Sequence, residues 1–187
     1  MKNKIIIFGR SLFVKKINFK KIDYANYDIC CINTTNPKLK KINYVVSVDY
    51  YINFPENREF EWVSPQTGWL FIDTQDNYII KDKCLSWRFF SSSIAVSFAI
   101  FKGYKEIYLA GVDLISGKPI NHYDDKCVGK EPLKEYMCES EKEFIKQICN
   151  KNNVKIYTLN KGNAWVEYKD IGITKNERKK NNRYERR

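Results

Sequence analysis

A chain of 187 residues is long enough for one packed domain and too short for two ordinary cores. Its 43% hydrophobic and 15% aromatic content supplies a core and excludes global disorder, and no apolar run approaches the roughly 20 residues that span a bilayer. The formal net charge is +11, concentrated in part at the C-terminal end, where residues 175–187 carry seven Lys or Arg against two Glu.

Residues 4–8 are a short apolar run of β-branched character, closed by Gly9-Arg10-Ser11 and followed by a helical turn over residues 12–17. Strand, tight turn and helix start is an arrangement in which backbone N–H groups can hold a phosphate, with Arg10 adding charge. A glycine after a strand also serves a plain turn, and the full G-x-G-x-x-G fingerprint is absent. A second run, residues 27–32, stops at Asn33-Thr34-Thr35-Asn36-Pro37, and a third, residues 44–48, stops at Asp49.

The middle of the chain mixes charge with aromatics over residues 54–62, and Ser64-Pro65-Gln66-Thr67-Gly68 has loop chemistry. Residues 69–73 read as a further strand. Ser91-Ser92-Ser93 then precedes residues 94–102, apolar on nearly every face, as befits a helix buried against a sheet. The serines suit an N-cap and equally an anion site at the helix start. After Gly103, a helix stop, residues 106–112 form a buried strand ending at Asp113. A helix over residues 139–150, with Phe144, Ile145, Ile148 and Cys149 on one stripe, leads to a last strand over residues 155–159.

No internal repeat interrupts this alternation, which predicts an α/β fold: a Rossmann-like three-layer sandwich with a mostly parallel sheet, occupying residues 1–174 as one nucleotide-binding-type domain. Ligands of such folds sit at the carboxyl ends of the strands, so Asn33, Asp49 and Asp113 are expected to converge on one edge, although Asn and Asp are also ordinary turn residues. His122, the one imidazole of the chain, lies in the polar segment Asn121-His122-Tyr123-Asp124-Asp125 and has the pKa range of a general base.

Six cysteines (Cys30, Cys31, Cys84, Cys127, Cys138, Cys149) include no C-x-x-C pair, so reduced thiols are expected, with neither a metal cluster nor a disulfide framework. Four apolar residues between Lys4 and Gly9 are too few for a signal-peptide core, and the expected compartment is the cytoplasm. Residues 175–187 read as a disordered basic tail, able to touch RNA, anionic lipid or an acidic partner through charge alone, or simply to aid solubility.

The segment Gly103-Tyr104-Lys105-Glu106-Ile107-Tyr108-Leu109-Ala110-Gly111-Val112-Asp113 resembles bacterial sialyltransferases of glycosyltransferase family 42, whose corresponding block has the form GYKEIYLSGID. Phe8-Gly9-Arg10-Ser11-Leu12 is similar to their GNGPSL nucleotide loop, Cys31-Ile32-Asn33 falls where they have a strand ending in Asn, and Asp49 falls near a second Asn. The resemblance runs in order over residues 4–160. Similar blocks occur in Rossmann-like proteins related to hydroxymethylpterin diphosphokinase.

The resemblance implies a site for CMP or a similar nucleotide lined by Gly9, Ser11, Asn33, Asp49 and Ser91, with Arg10, Ser92, Gly111 and Asp113 in the same set. It implies no metal and no separate cofactor. The reaction is attack of a glycan hydroxyl on the anomeric carbon of a nucleotide sugar, aided by a histidine base and tyrosine hydroxyls. The family's histidine position falls near Tyr136, while His122 lies well before it, so His122 and Tyr136 are the candidate catalytic residues. The family tyrosine after the GID block is Ile115 here, and Pro of the nucleotide loop is Arg10. Two other readings stand beside this one: a diphosphokinase-like transferase with Asp49, Asp113, Asp124 and Asp125 on Mg²⁺-ATP, and a non-catalytic module that binds nucleic acid or a partner through its tail.

Overall fold

The computed structural model describes residues 2–48, 54, 58–73, 83–117, 119–121 and 128–175. In chain order its strands and helices are β1 (Lys4–Phe8), β2 (Tyr27–Ile32), β3 (Tyr44–Val46), β4 (Glu61–Val63), β5 (Leu70–Asp73), β6 (Cys84–Trp87), α1 (Ser91–Phe101), β7 (Glu106–Ala110), β8 (Pro119–Asn121), β9 (Val128–Pro132), α2 (Glu135–Lys151) and β10 (Lys155–Thr158). Six of the strands form one parallel sheet in the order β10-β7-β1-β2-β3-β4.

The central strands are apolar without interruption because both of their faces are covered. Successive side chains point to opposite faces, so Ile5 and Ile7 of β1, with Cys30 and Ile32 of β2, pack toward α1 and α2. Ile6, Phe8, Ile29 and Cys31 pack the other way. The second face carries no α-helix among the described residues. A 3₁₀ turn over Leu12–Lys16 and another over Phe19–Lys21 cover it instead, together with Ile171 and Ile173. The first turn ends because Ile17 is extended, and the following amide, of Asn18, goes to the carbonyl of Ile173 at 2.7 Å. The α/β sandwich is therefore mostly parallel, with its third layer built from short turns.

Helix α1 is buried through Ala99, which explains its lack of a polar face. It stops in a Schellman arrangement: Gly103 at φ +84° gives its N–H to Ile100 O, and Tyr104 gives its own to Ala99 O. Helix α2 begins four residues earlier than the apolar stripe predicts and buries Cys138, Glu141, Phe144, Ile145, Ile148 and Cys149. No described helix is long and apolar enough to cross a membrane.

The strand expected at residues 69–73 exists as β5 but lies outside the main sheet, in a parallel pair with β6. Five cysteines are free and buried, and burial pushes the Cys31 thiol up to about 12. Beyond β10 the chain doubles along that strand, Thr158 N bonding Glu167 O and Lys169 N bonding Thr158 O. It then crosses to the first 3₁₀ turn, where Lys175 bonds Lys16 O through its amide and Lys15 O through its ammonium. Lys175, the first residue of the basic tail, thus belongs to the fold, and the rest of the tail lies outside the described residues.

Candidate active site

All six strands of the main sheet point the same way, so their carboxyl ends share one edge. From β1 the chain steps outward through β2, β3 and β4, then returns to β1's other side for β7 and β10. The strand order therefore reverses between β1 and β7, the position where open α/β sheets bind ligands. Gly9 and Gly111 face each other there. A Cβ on Gly9 would lie 2.2 Å from Gly111 O, and one on Gly111, at φ +75°, would lie 2.5 Å from Val14 Cγ2.

This close approach uses the amides that the sequence assigns to a phosphate. Gly9 N donates to Ala110 O at 2.8 Å and Ser11 N to Gly111 O at 3.1 Å. Ser11 Oγ accepts from Phe13 N at 3.3 Å as the cap of a five-residue 3₁₀ turn. The expectation of free N–H groups at a helix start is corrected here: Gly9, Ser11 and Gly111 lock the two loops together where the strand order reverses, and half-buried Arg10 lies between Gly9 and Ser11.

The next strand end, β2, places Asn33 at φ +59° with its amide on Val46 O. Its side-chain oxygen is buried and has no hydrogen-bond partner. An orphan acceptor of this kind costs about 1–3 kcal/mol, so it needs a reason.

The N-terminus of α1 lies on the same edge, and its serines are already engaged. The N-cap is Phe90, without a side-chain cap, so the expectation of a serine N-cap is corrected. Glu141 of α2, fully buried, accepts from Ser92 Oγ at 2.7 Å, Ser93 N at 2.9 Å and Phe89 N at 3.0 Å. Ser93 Oγ bonds Phe90 O and accepts from Arg88 N. The anion seat of α1 is thus filled from within the protein, and Ser92 faces Glu141; among the three serines, Ser91 alone makes no such bond to it. Burial holds the Glu141 carboxyl above its ordinary range, and the bonds from Phe89, Ser92 and Ser93 pull it partly back.

Sequence reasoning missed Glu141. The signal was present, since residue 141 precedes Phe144 and Ile145 by three and four positions and so falls on the apolar stripe of α2. An acid on such a stripe requires a buried partner.

Asp113 ends β7 and is braced from the loop after β10. Asn160 Nδ2 donates to its Oδ1 at 3.0 Å, Asn163 Nδ2 to its backbone oxygen, and Trp165 Nε1 to Val112 O at 3.0 Å. Tyr136, in the first turn of α2, is 61% exposed and meets Phe89 edge to face at 6.1 Å. The structure thus sets Gly9, Arg10, Ser11, Asn33, Ser91, Ser92, Gly111, Asp113 and Tyr136 along one edge. Asp49 and His122 lie outside the described residues.

No family profile and no curated protein matches the chain by sequence. Solved structures do. The Campylobacter jejuni sialyltransferase CstII in complex with the substrate analogue CMP-3FNeuAc is 16% identical over 93% of this chain and 88% of its own, with a TM-score of 0.54. CstII in complex with cytidine-5'-monophosphate gives 16% identity, 93% and 87% coverage, and a TM-score of 0.55. The monofunctional α-2,3-sialyltransferase Cst-I from the same organism gives 18%, 87% and 77%, and 0.51. The chain has the Rossmann-like fold of these bacterial sialyltransferases, as the block at residues 103–113 implies.

Proposed function

We propose that the chain is a glycosyltransferase of sialyltransferase type, moving a sugar from a CMP-type nucleotide donor to a hydroxyl of a glycan acceptor. The observation that carries this is the reversal of strand order between β1 and β7, with the orphan acceptor of Asn33 on the next strand end, in a fold shared over 93% of the chain with an enzyme solved bound to CMP. The Asn33 oxygen suits a ligand hydroxyl or amino group, and the exposed Tyr136 phenol supplies a donor toward a phosphate.

In the proposed reaction the acceptor oxygen bonds to the anomeric carbon as the bond from that carbon to the phosphate oxygen breaks. The hydroxyl proton passes to His122, and the departing CMP takes hydrogen bonds from donors that include the Tyr136 phenol. No metal or further cofactor enters, and the proposed compartment is the cytoplasm. The Mg²⁺-ATP reading is less well supported, because Asp113 Oδ1 is already held by Asn160.

Thermal-shift titration with CMP and ATP, each in EDTA and in Mg²⁺, tests this: stabilisation by CMP in EDTA is expected. A response to ATP only with Mg²⁺, or to no nucleotide at millimolar concentration, contradicts the reading. With CMP bound, Tyr136→Phe should keep affinity within about twofold and slow transfer by about a hundredfold.

A further inference from the structure

The turn between β6 and α1, residues 88–90, is bonded to the start of α1 through Ser93 and to another helix through one buried side chain. Glu141 is fully buried, and its two oxygens reach both sides of the turn: Oε2 takes Phe89 N, before the helix, and Oε1 takes Ser92 Oγ and Ser93 N within it. Five residues earlier on α2, Tyr136 rests against the Phe89 ring, so the same helix grips the turn twice. Ser92 and Ser93 are engaged by these bonds, and Ser91, the first residue of α1 and itself buried, takes no part in them. Without the carboxylate, the Phe89 N–H and the Ser92 hydroxyl would lose their acceptor and the Ser93 N–H would keep only Phe90 O at 3.2 Å, a state that a turn relieves by moving.

We propose that Glu141 is a positioning residue: it supplies the anion that the N-terminus of α1 requires, fixes the turn that carries Ser91, and so sets the affinity of the site for a nucleotide phosphate it does not touch. The inference rests on the nucleotide-binding reading above. It also explains why a helix start at the ligand edge carries an internal carboxylate. An exogenous phosphate placed there would compete with Glu141 for the same donors, so the ligand's own phosphate must sit outward of it.

The test is CMP titration of the full chain against Glu141→Ala, with Cys149→Ala as a variant of the same helix that opens a cavity in the same core away from the turn. Formate, a small carboxylate, is added to each. Glu141→Ala should bind CMP about tenfold more weakly, and formate at about 100 mM should restore most of the loss. Cys149→Ala should bind CMP as the wild type does, and formate should leave it unchanged. Equal losses in both variants, or no response of Glu141→Ala to formate, would show that α2 acts only through global stability and would overturn the proposal. Wild type and Glu141→Ala binding CMP equally would overturn it while leaving the site reading intact. A wild type that ignores CMP overturns the site reading, and this proposal with it.

Discussion

A side chain on Gly9 would have its first carbon 2.2 Å from the carbonyl oxygen of Gly111, closer than any nonbonded pair tolerates. The contact is backbone against Cβ, so no side chain can swing away to relieve it. Gly9→Ala should force β1 and the loop after β7 apart, costing about 1–3 kcal/mol in urea unfolding. CMP affinity should fall in the same variant, because the loops at the proposed site are what move. Retained stability would show that the two loops are freer than their hydrogen bonds imply.

Asn33 should trade stability for binding. Its backbone is left-handed at φ +59°, and its buried oxygen has no partner. Asn33→Gly keeps that backbone without steric cost and removes the orphan acceptor, so the unliganded protein should gain about 1 kcal/mol. CMP binding should weaken by about tenfold at the same time. A variant that loses stability and keeps its affinity would make Asn33 a plain turn residue.

The pH dependence of stability should carry the signature of Glu141. Its folded carboxyl is raised above the ordinary 4.5, so as pH climbs past that value the unfolded state releases the proton before the folded state does. The contribution is fully present below the unfolded pKa and is lost as pH rises through the folded one. Comparing wild type with Glu141→Gln in urea between pH 4 and 8, the wild-type advantage should shrink as pH rises. A difference that grows with pH would mean that the hydrogen bonds outweigh burial.

A control lies at the opposite end of the strands. Tyr104, before β7, donates to Asp28 of β2 at 2.5 Å, and Lys2 closes on the same carboxylate at 2.9 Å. Tyr104→Phe strips that carboxylate of one donor and should cost about 1–3 kcal/mol. CMP affinity should stay within about twofold, because the ligand edge is a strand length away. An affinity loss matching that of Asn33→Gly would place the ligand at the wrong edge.

The long apolar strands, residues 4–8, 27–32 and 106–110, are legible in the sequence because burial on both faces writes an unbroken hydrophobic run. Helix α2 is legible from the spacing of its apolar stripe, and α1 from an apolar run between the serines and Gly103. The strands of three or four residues divide: residues 44–48, 69–73 and 155–159 read as strand runs, whereas β4, Glu-Trp-Val, and β6, Cys-Leu-Ser-Trp, are too short for a period to register. At the candidate site, Gly9, Asn33 and Asp113 follow adjacent strands, as the parallel alternation implies. Their bonding was hidden. That Gly9 and Ser11 spend their amides on Ala110 and Gly111 depends on β1 lying beside β7, a pairing about a hundred residues apart in sequence that no local pattern encodes. The engagement of Ser92 by Glu141 is non-local for the same reason.

The segment after β10 gives the site a place in time. Asn160, Asn163 and Trp165 brace the loop that holds Asp113, and Lys175 ties down the turn that follows Ser11. On the ribosome, every strand of the sheet is made before these fasteners, so the sheet can assemble while its ligand edge is still slack. The bracing of that edge therefore follows the sheet in synthesis, and a nascent chain that has not yet released residues 160–175 carries every described strand of the sheet without the bonds to Asp113, Val112 and Lys15.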